Sequence, residues 1–91
     1  MNVLALPAEL TQTQASACLG TLLPGLKSVA DPVVVVDASA LSRFDSAALA
    51  VLLELRRESL GIGKRFAVQG LPERLRSLAM LYGIAELVPA T

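Results

Sequence analysis

Asp45-Ser46-Ala47-Ala48-Leu49 sets a carboxylate and a hydroxyl side by side, just ahead of a run with helical spacing. A serine in that position can act as a nucleophile, accept a phosphoryl group or meet a partner. As a nucleophile it would need a base. The chain has no histidine, which removes the commonest general base and the commonest metal ligand. A serine–lysine arrangement could recruit only Lys27 or Lys64, and neither lies in a recognisable motif. Gly61-Ile62-Gly63-Lys64 is too short for a phosphate-binding loop and precedes a strand. The acidic residues fall at caps and on helix surfaces, with no pair marked for acid–base work. No catalytic residue, metal ligand or cofactor is therefore assigned.

Cys18 is the single cysteine, so no internal disulfide can form and no thiolate cluster can hold zinc. With no basic residue near it in sequence, it reads as a small core residue rather than a reactive thiol. Eight basic and eight acidic residues cancel, which gives no electrostatic ground for a nucleic-acid or anionic-membrane partner. The 91 residues suit one domain, 1–91, and their 54% hydrophobic content suits a packed core. Aromatics are only 3%, so Leu, Val and Ala must build that core. Met1 to Pro7 lacks the basic start and long apolar stretch of a signal peptide. The longest apolar run, Ala47 to Leu53, falls far short of the ~20 residues that span a bilayer. The expected location is cytoplasmic, without direct membrane insertion.

The elements that must position Ser46 follow from patterning. Val3 to Leu6 predicts a short strand ending near Pro7. Thr11-Gln12-Thr13-Gln14 has the form of a capping box, and Ala15, Cys18, Leu19 and Leu22 share a helical face behind it. Pro24-Gly25 is the expected stop. Val33 to Asp37 predicts a central strand buried on both faces, because four valines run without alternation. A second helix starts at Asp45 or Ser46, either of which can cap it, and ends by Gly61 and Gly63. Phe66 to Gln69 predicts a third strand. A third helix opens at Pro72, carries Leu75, Leu78, Ala79 and Tyr82 on one face, and stops at Gly83. Ala85 to Val88 reads as either strand or turn. This β-α-β-α-β-α order argues for an α/β layer with right-handed crossovers.

On the second helix, Ala48, Leu49, Leu52 and Leu55 share the face expected against the sheet. The opposite face carries Ser46, Ala47, Ala50, Glu54, Arg57 and Glu58, with Leu53 at the boundary. Its first half is small or apolar, so another backbone could approach closely. Alanine is also simply a good helix former, and exposed alanine alone needs no partner. On the third helix Met80 and Leu81 leave the core face, either for a partner or for the terminal segment. A phosphate on Ser46 would add about −1.5 to −2 charge. At a helix N-terminus the free N–H groups and the dipole would tolerate it. Asp45 would add like-charge repulsion, so such a modification could act as a switch.

The strand Val33–Asp37, the link through Ser39, and Asp45-Ser46-Ala47-Ala48-Leu49 together resemble the STAS domain family. That family includes anti-sigma factor antagonists, sulfate-transporter tails and the MlaB subunit of a phospholipid-trafficking ABC transporter. Val68-Gln69-Gly70-Leu71-Pro72-Glu73, Leu78-Ala79-Met80-Leu81-Tyr82-Gly83-Ile84 and Leu4 to Leu10 resemble the MlaB-like branch. The resemblance implies a small STAS-like α/β fold, a mixed β-sheet of about four strands packed by helices.

The resemblance also implies a non-catalytic subunit that binds and regulates the cytoplasmic, MlaF-like ATPase of an ABC transporter. That transport maintains outer-membrane lipid asymmetry. Partner-binding residues would be Asp45, Ser46, Ala47, Ala50, Leu53, Arg57 and Met80, with the chain peripheral to the inner membrane through its partner. The alternative is an anti-sigma factor antagonist, with an anti-sigma factor kinase as partner and Ser46 as the phosphorylated residue. Two departures stand out. Ala48 replaces the family's usual glycine, which could alter the first helical turn. The chain also begins one strand late, so an uncovered sheet edge could support a homodimer.

Overall fold

The computed structural model describes residues 3–90. In chain order it contains β1 (Val3–Ala5), β2 (Glu9–Leu10), α1 (Ala15–Lys27), β3 (Val33–Asp37) and β4 (Arg43–Phe44). There follow α2 (Ala47–Gly61), β5 (Arg65–Gln69), α3 (Glu73–Leu81) and a 3-10 turn (Ala85–Leu87). The α/β class stands. The main sheet has the order β1-β3-β5, and β2 pairs with β4 in a two-stranded piece. Every strand pairing among the described residues is parallel. Beyond β5 the terminal segment adds one more parallel bridge, Val68 to Ala90, and Val68 N–H donates to Pro89 C=O at 2.8 Å.

Each successive parallel strand is laid down on the same side of the last. Right-handed crossovers in a constant direction put α1, α2 and α3 on one face of the sheet. Register confirms this. Val34 pairs with Phe66 and Val36 with Val68, and all four side chains are buried under the helices. Their neighbours Val33, Val35 and Ala67 point the other way and are only half-buried. The expectation that β3 is buried on both faces is therefore corrected: it is central, but only one face is covered.

The first helix also departs from expectation. The turn ahead of it forms one half of the expected capping box, from Gln14 back to Thr11. Gln14 Oε1 accepts from the Thr11 N–H at 2.9 Å and from the Thr11 hydroxyl, and Thr11 Oγ1 accepts from the Thr13 N–H at 3.3 Å. Yet α1 runs through Pro24 and Gly25 to Lys27, because burial of Leu26 continues its apolar face past the proline. Gly61 lies within α2, and Gly63, at φ 77°, makes the turn instead. In α3, Leu75 and Ala79 are buried as expected, but Tyr82 lies beyond the last turn and is 55% exposed. Ala85 to Val88 resolves as a 3-10 turn that buries Val88. Cys18 is buried, and burial pushes its thiol pKa up, as a core role requires.

Candidate functional site

The carboxyl ends of the parallel strands and the N-termini of the helices share one end of the molecule, as alternating parallel βα units require. Ser46 sits there. The connection from β3 to α2 is held by backbone contacts. Ala38 N–H donates to Gln69 C=O at 2.8 Å, and the N–H groups of Ser42 and Arg43 donate to Ala8 C=O at 2.8 and 3.0 Å. Gly70, at φ 69°, lies so close to Ser39 that an added Cβ would stand 2.7 Å from the Ser39 Cβ. Asp37 Oδ1 accepts the Ser39 N–H at 2.9 Å. Hydrogen bonds from the Ser39 side chain and backbone, and from Gln69, hold the Asp37 carboxyl below its usual range. Arg43 pairs with Glu9 at 3.4 Å, and the Arg74 guanidinium stacks 4.8 Å from the Phe44 ring centre.

Asp45, not Ser46, is the cap. Its Oδ1 accepts the Ala47 N–H at 2.8 Å, and its Oδ2 accepts the Gln12 N–H at 3.2 Å. One carboxylate thus closes the start of α2 and pins the turn that leads into α1. Ala48 N–H donates to Asp45 C=O at 3.0 Å, and the N–H groups of Leu49 and Ala50 donate to Ser46 C=O. The first turn therefore has acceptors for these donors, contrary to the expectation that a phosphate on Ser46 would meet free N–H groups. Ala48 is fully buried in this turn, which forms regularly without glycine. The Ser46 hydroxyl is exposed and makes no hydrogen bond among the described residues.

Around Ser46 the helix surface is small. Ala50 is exposed and Ala47 half-buried, while Leu53 packs against the edge of the core. Further along, Arg57 is exposed and grips Glu54 at 2.8 and 3.1 Å, with Glu58 at 3.3 Å. The Arg57 hydrogen bonds hold the Glu54 carboxyl below its usual range. Such an exposed pair adds little to stability.

Met80 is 65% exposed but does not join this surface. It lines a shallow cavity of about 250 Å³ with Arg76 and the terminal residues Pro89 and Ala90, on the flank of α3 turned from α2. The other flank carries Arg74, above Phe44, and then Leu78 and Leu81 at helical spacing. Leu81 is 77% exposed. Arg74 was missed in the sequence, and Leu81 was read as leaving the core face but not as its neighbour on this flank. Their signal was the spacing of 74, 78 and 81, which gains meaning only once Phe44 is placed beneath it. Leu60 and Ile62, also exposed, mark the far end of α2. Among the described residues no cluster of potential metal ligands occurs, and no helix is long and apolar enough to cross a membrane.

Comparison with known proteins agrees with this geometry. The family model "Mlab, STAS domain" matches residues 2–89. No curated protein matches the chain. Among solved structures, an anti-sigma-factor antagonist (STAS) domain protein from Planctomyces limnophilus superposes with a TM-score of 0.78 at 21% identity. The alignment covers 98% of this chain and 81% of that one, and the likeness shows the fold.

Proposed function

Since the chain belongs to the MlaB-like STAS domain family, we propose that it is a non-catalytic, protein-binding subunit, one STAS domain over residues 1–91. Its partner is the cytoplasmic ATPase of an ABC transporter that moves phospholipid and maintains outer-membrane lipid asymmetry. The chain then sits in the cytoplasm, held at the inner membrane by that partner. The observation that carries the reading is the free, exposed Ser46 hydroxyl beside exposed Ala50 and half-buried Ala47. Small side chains let a partner's backbone come close, and a hydroxyl without an internal partner can bond across the contact without breaking anything. Asp45 contributes by fixing Ser46 rather than by touching the partner, since both its oxygens already accept backbone N–H groups. Leu53 and Arg57 extend the surface along α2, whereas Met80, beside the terminal segment on α3, lies outside it.

Purification with the cognate ATPase is the test. Ser46→Arg or Ala50→Glu should weaken complex formation at least about tenfold, the scale of one buried interface contact. Unchanged binding and ATPase rate in both variants would overturn the surface. The second reading is an anti-sigma factor antagonist switched at Ser46, which the exposed hydroxyl also favours. It requires that a cognate kinase label Ser46 and that Ser46→Asp abolish partner binding.

A further inference from the structure

The face of the main sheet turned away from the helices is apolar and uncovered. Val3, Val33, Val35 and Ala67 share it by register, and none joins the hydrophobic core or its packed margin. Parallel sheets ordinarily bury both faces. Here no helix among the described residues lies on the second one. The charges on this face are placed asymmetrically. Arg65 stands at the amino end of β5, exposed, and its side chain makes no hydrogen bond or ion pair among the described residues, while its backbone N–H donates to Pro32 C=O at 2.9 Å. Asp37 stands at the carboxyl end of β3, one strand over.

We infer that a second copy of this chain covers this face. A two-fold axis crossing the strands at Val35 stacks the sheets with their strands antiparallel. Each Arg65 then lies opposite Gln69 of the other copy and diagonal to the partner's Asp37. Packed sheets lie about 10 Å apart, within reach of an arginine to a carboxylate. The pairing occurs twice by symmetry and turns each lone cation toward a carboxylate that its hydrogen bonds keep charged.

The open edge of β1 is a weaker route to the same end. It offers only Val3 to Ala5, and so short an edge is a poor template. The face itself is modest. Three strands about 4.8 Å apart and about 3.3 Å per residue give roughly 15 by 17 Å. That is well below the ~800 Å² per partner of a standard interface, so the dimer is weak and reversible. This contact is independent of the Ser46 surface, which lies on the helical side, so either assignment can fail alone.

Sedimentation equilibrium of the full chain is the test, with native mass spectrometry beside it. Concentration-dependent association is expected, and Val35→Glu and Arg65→Glu should each weaken it at least about tenfold. Because Val35 is half-buried, circular dichroism must show that the variant folds; Ala67→Glu is the replacement if it does not. The edge is tested by Ala5→Pro. Leu6 N–H donates to Asp37 C=O at 2.9 Å, so the Ala5 N–H one residue back faces the open side and is dispensable within the monomer. Association that survives Val35→Glu but fails in Ala5→Pro would overturn the face contact. So would a chain that stays monomeric at about 1 mM, far above a weak Kd, or a monomer that carries a co-purified lipid.

Discussion

Two adjacent side chains at the start of α2 divide the work that capping and recognition demand. Asp45 accepts two backbone N–H groups from different elements, while the Ser46 hydroxyl accepts none. Asp45→Ala should therefore cost about 1–2 kcal/mol of stability, as lost caps do. Ser46→Ala should stay within about 0.5 kcal/mol, as surface changes do. Urea unfolding of the two variants checks this, and the reverse ranking would make Ser46 the cap. Asp37 gives a pH dependence. Its folded pKa lies below its ordinary 3.8, so the unfolded chain binds more protons there. Its stabilisation is present above the unfolded value and is lost as pH falls through the folded one. Asp37→Asn should lower stability at neutral pH and flatten its fall below pH ~4. An acid limb identical to the parent chain's would contradict this.

At the scale of elements, the glycines separate tight geometry from mere permissiveness. Gly70 turns out of β5 at positive φ with Ser39 against it, whereas Gly20 lies within α1 with nothing within 4 Å of an added Cβ. Gly70→Ala should destabilise by more than about 2 kcal/mol, combining strain with a backbone clash. Gly20→Ala should stabilise by roughly 0.5–1 kcal/mol through helix propensity. Thermal melts of both distinguish the two cases. Element identity was legible where the local signal was strong, as in the β-branched valine run and in the helical spacing of Ala48, Leu49, Leu52 and Leu55. It failed where a long-range contact decided the outcome. Pro24 reads as a stop, but the core holds Leu26 beyond it. β2 and β4 are two residues each, too short for any alternation, and exist because Glu9-Leu10 and Arg43-Phe44 meet in space. Ser46 and the alanines were visible as a candidate surface. Which of Asp45 and Ser46 caps the helix was not, because Gln12 lies 33 residues away from the carboxylate it meets.

Across the whole molecule, the layering is one-sided, and this sets which parts depend on which. Four valines in a row could not disclose it, since the direction of the crossovers decides whether helices fall on one face or two. With all three helices on one side, β5 would be an open edge but for the terminal segment. That segment buries Val88 at 5% exposure, and its Pro89 carbonyl accepts the Val68 N–H at 2.8 Å. Ending the chain after Leu87 would remove both. Losing a buried valine costs about 1.5–3 kcal/mol, and in a domain this size each kcal/mol moves Tm by about 4–8 °C. The shortened chain should therefore melt on the order of 10 °C lower. It should also aggregate more readily, because β5 would then expose the N–H and C=O groups of a five-residue strand rather than a three-residue one. Val88→Ala in the intact chain separates the two effects. It gives up side-chain burial but keeps the Pro89 bond, so Tm should fall while aggregation stays at the parent level. Equal aggregation of the truncated chain and Val88→Ala would mean that lost stability, not the exposed edge, drives it.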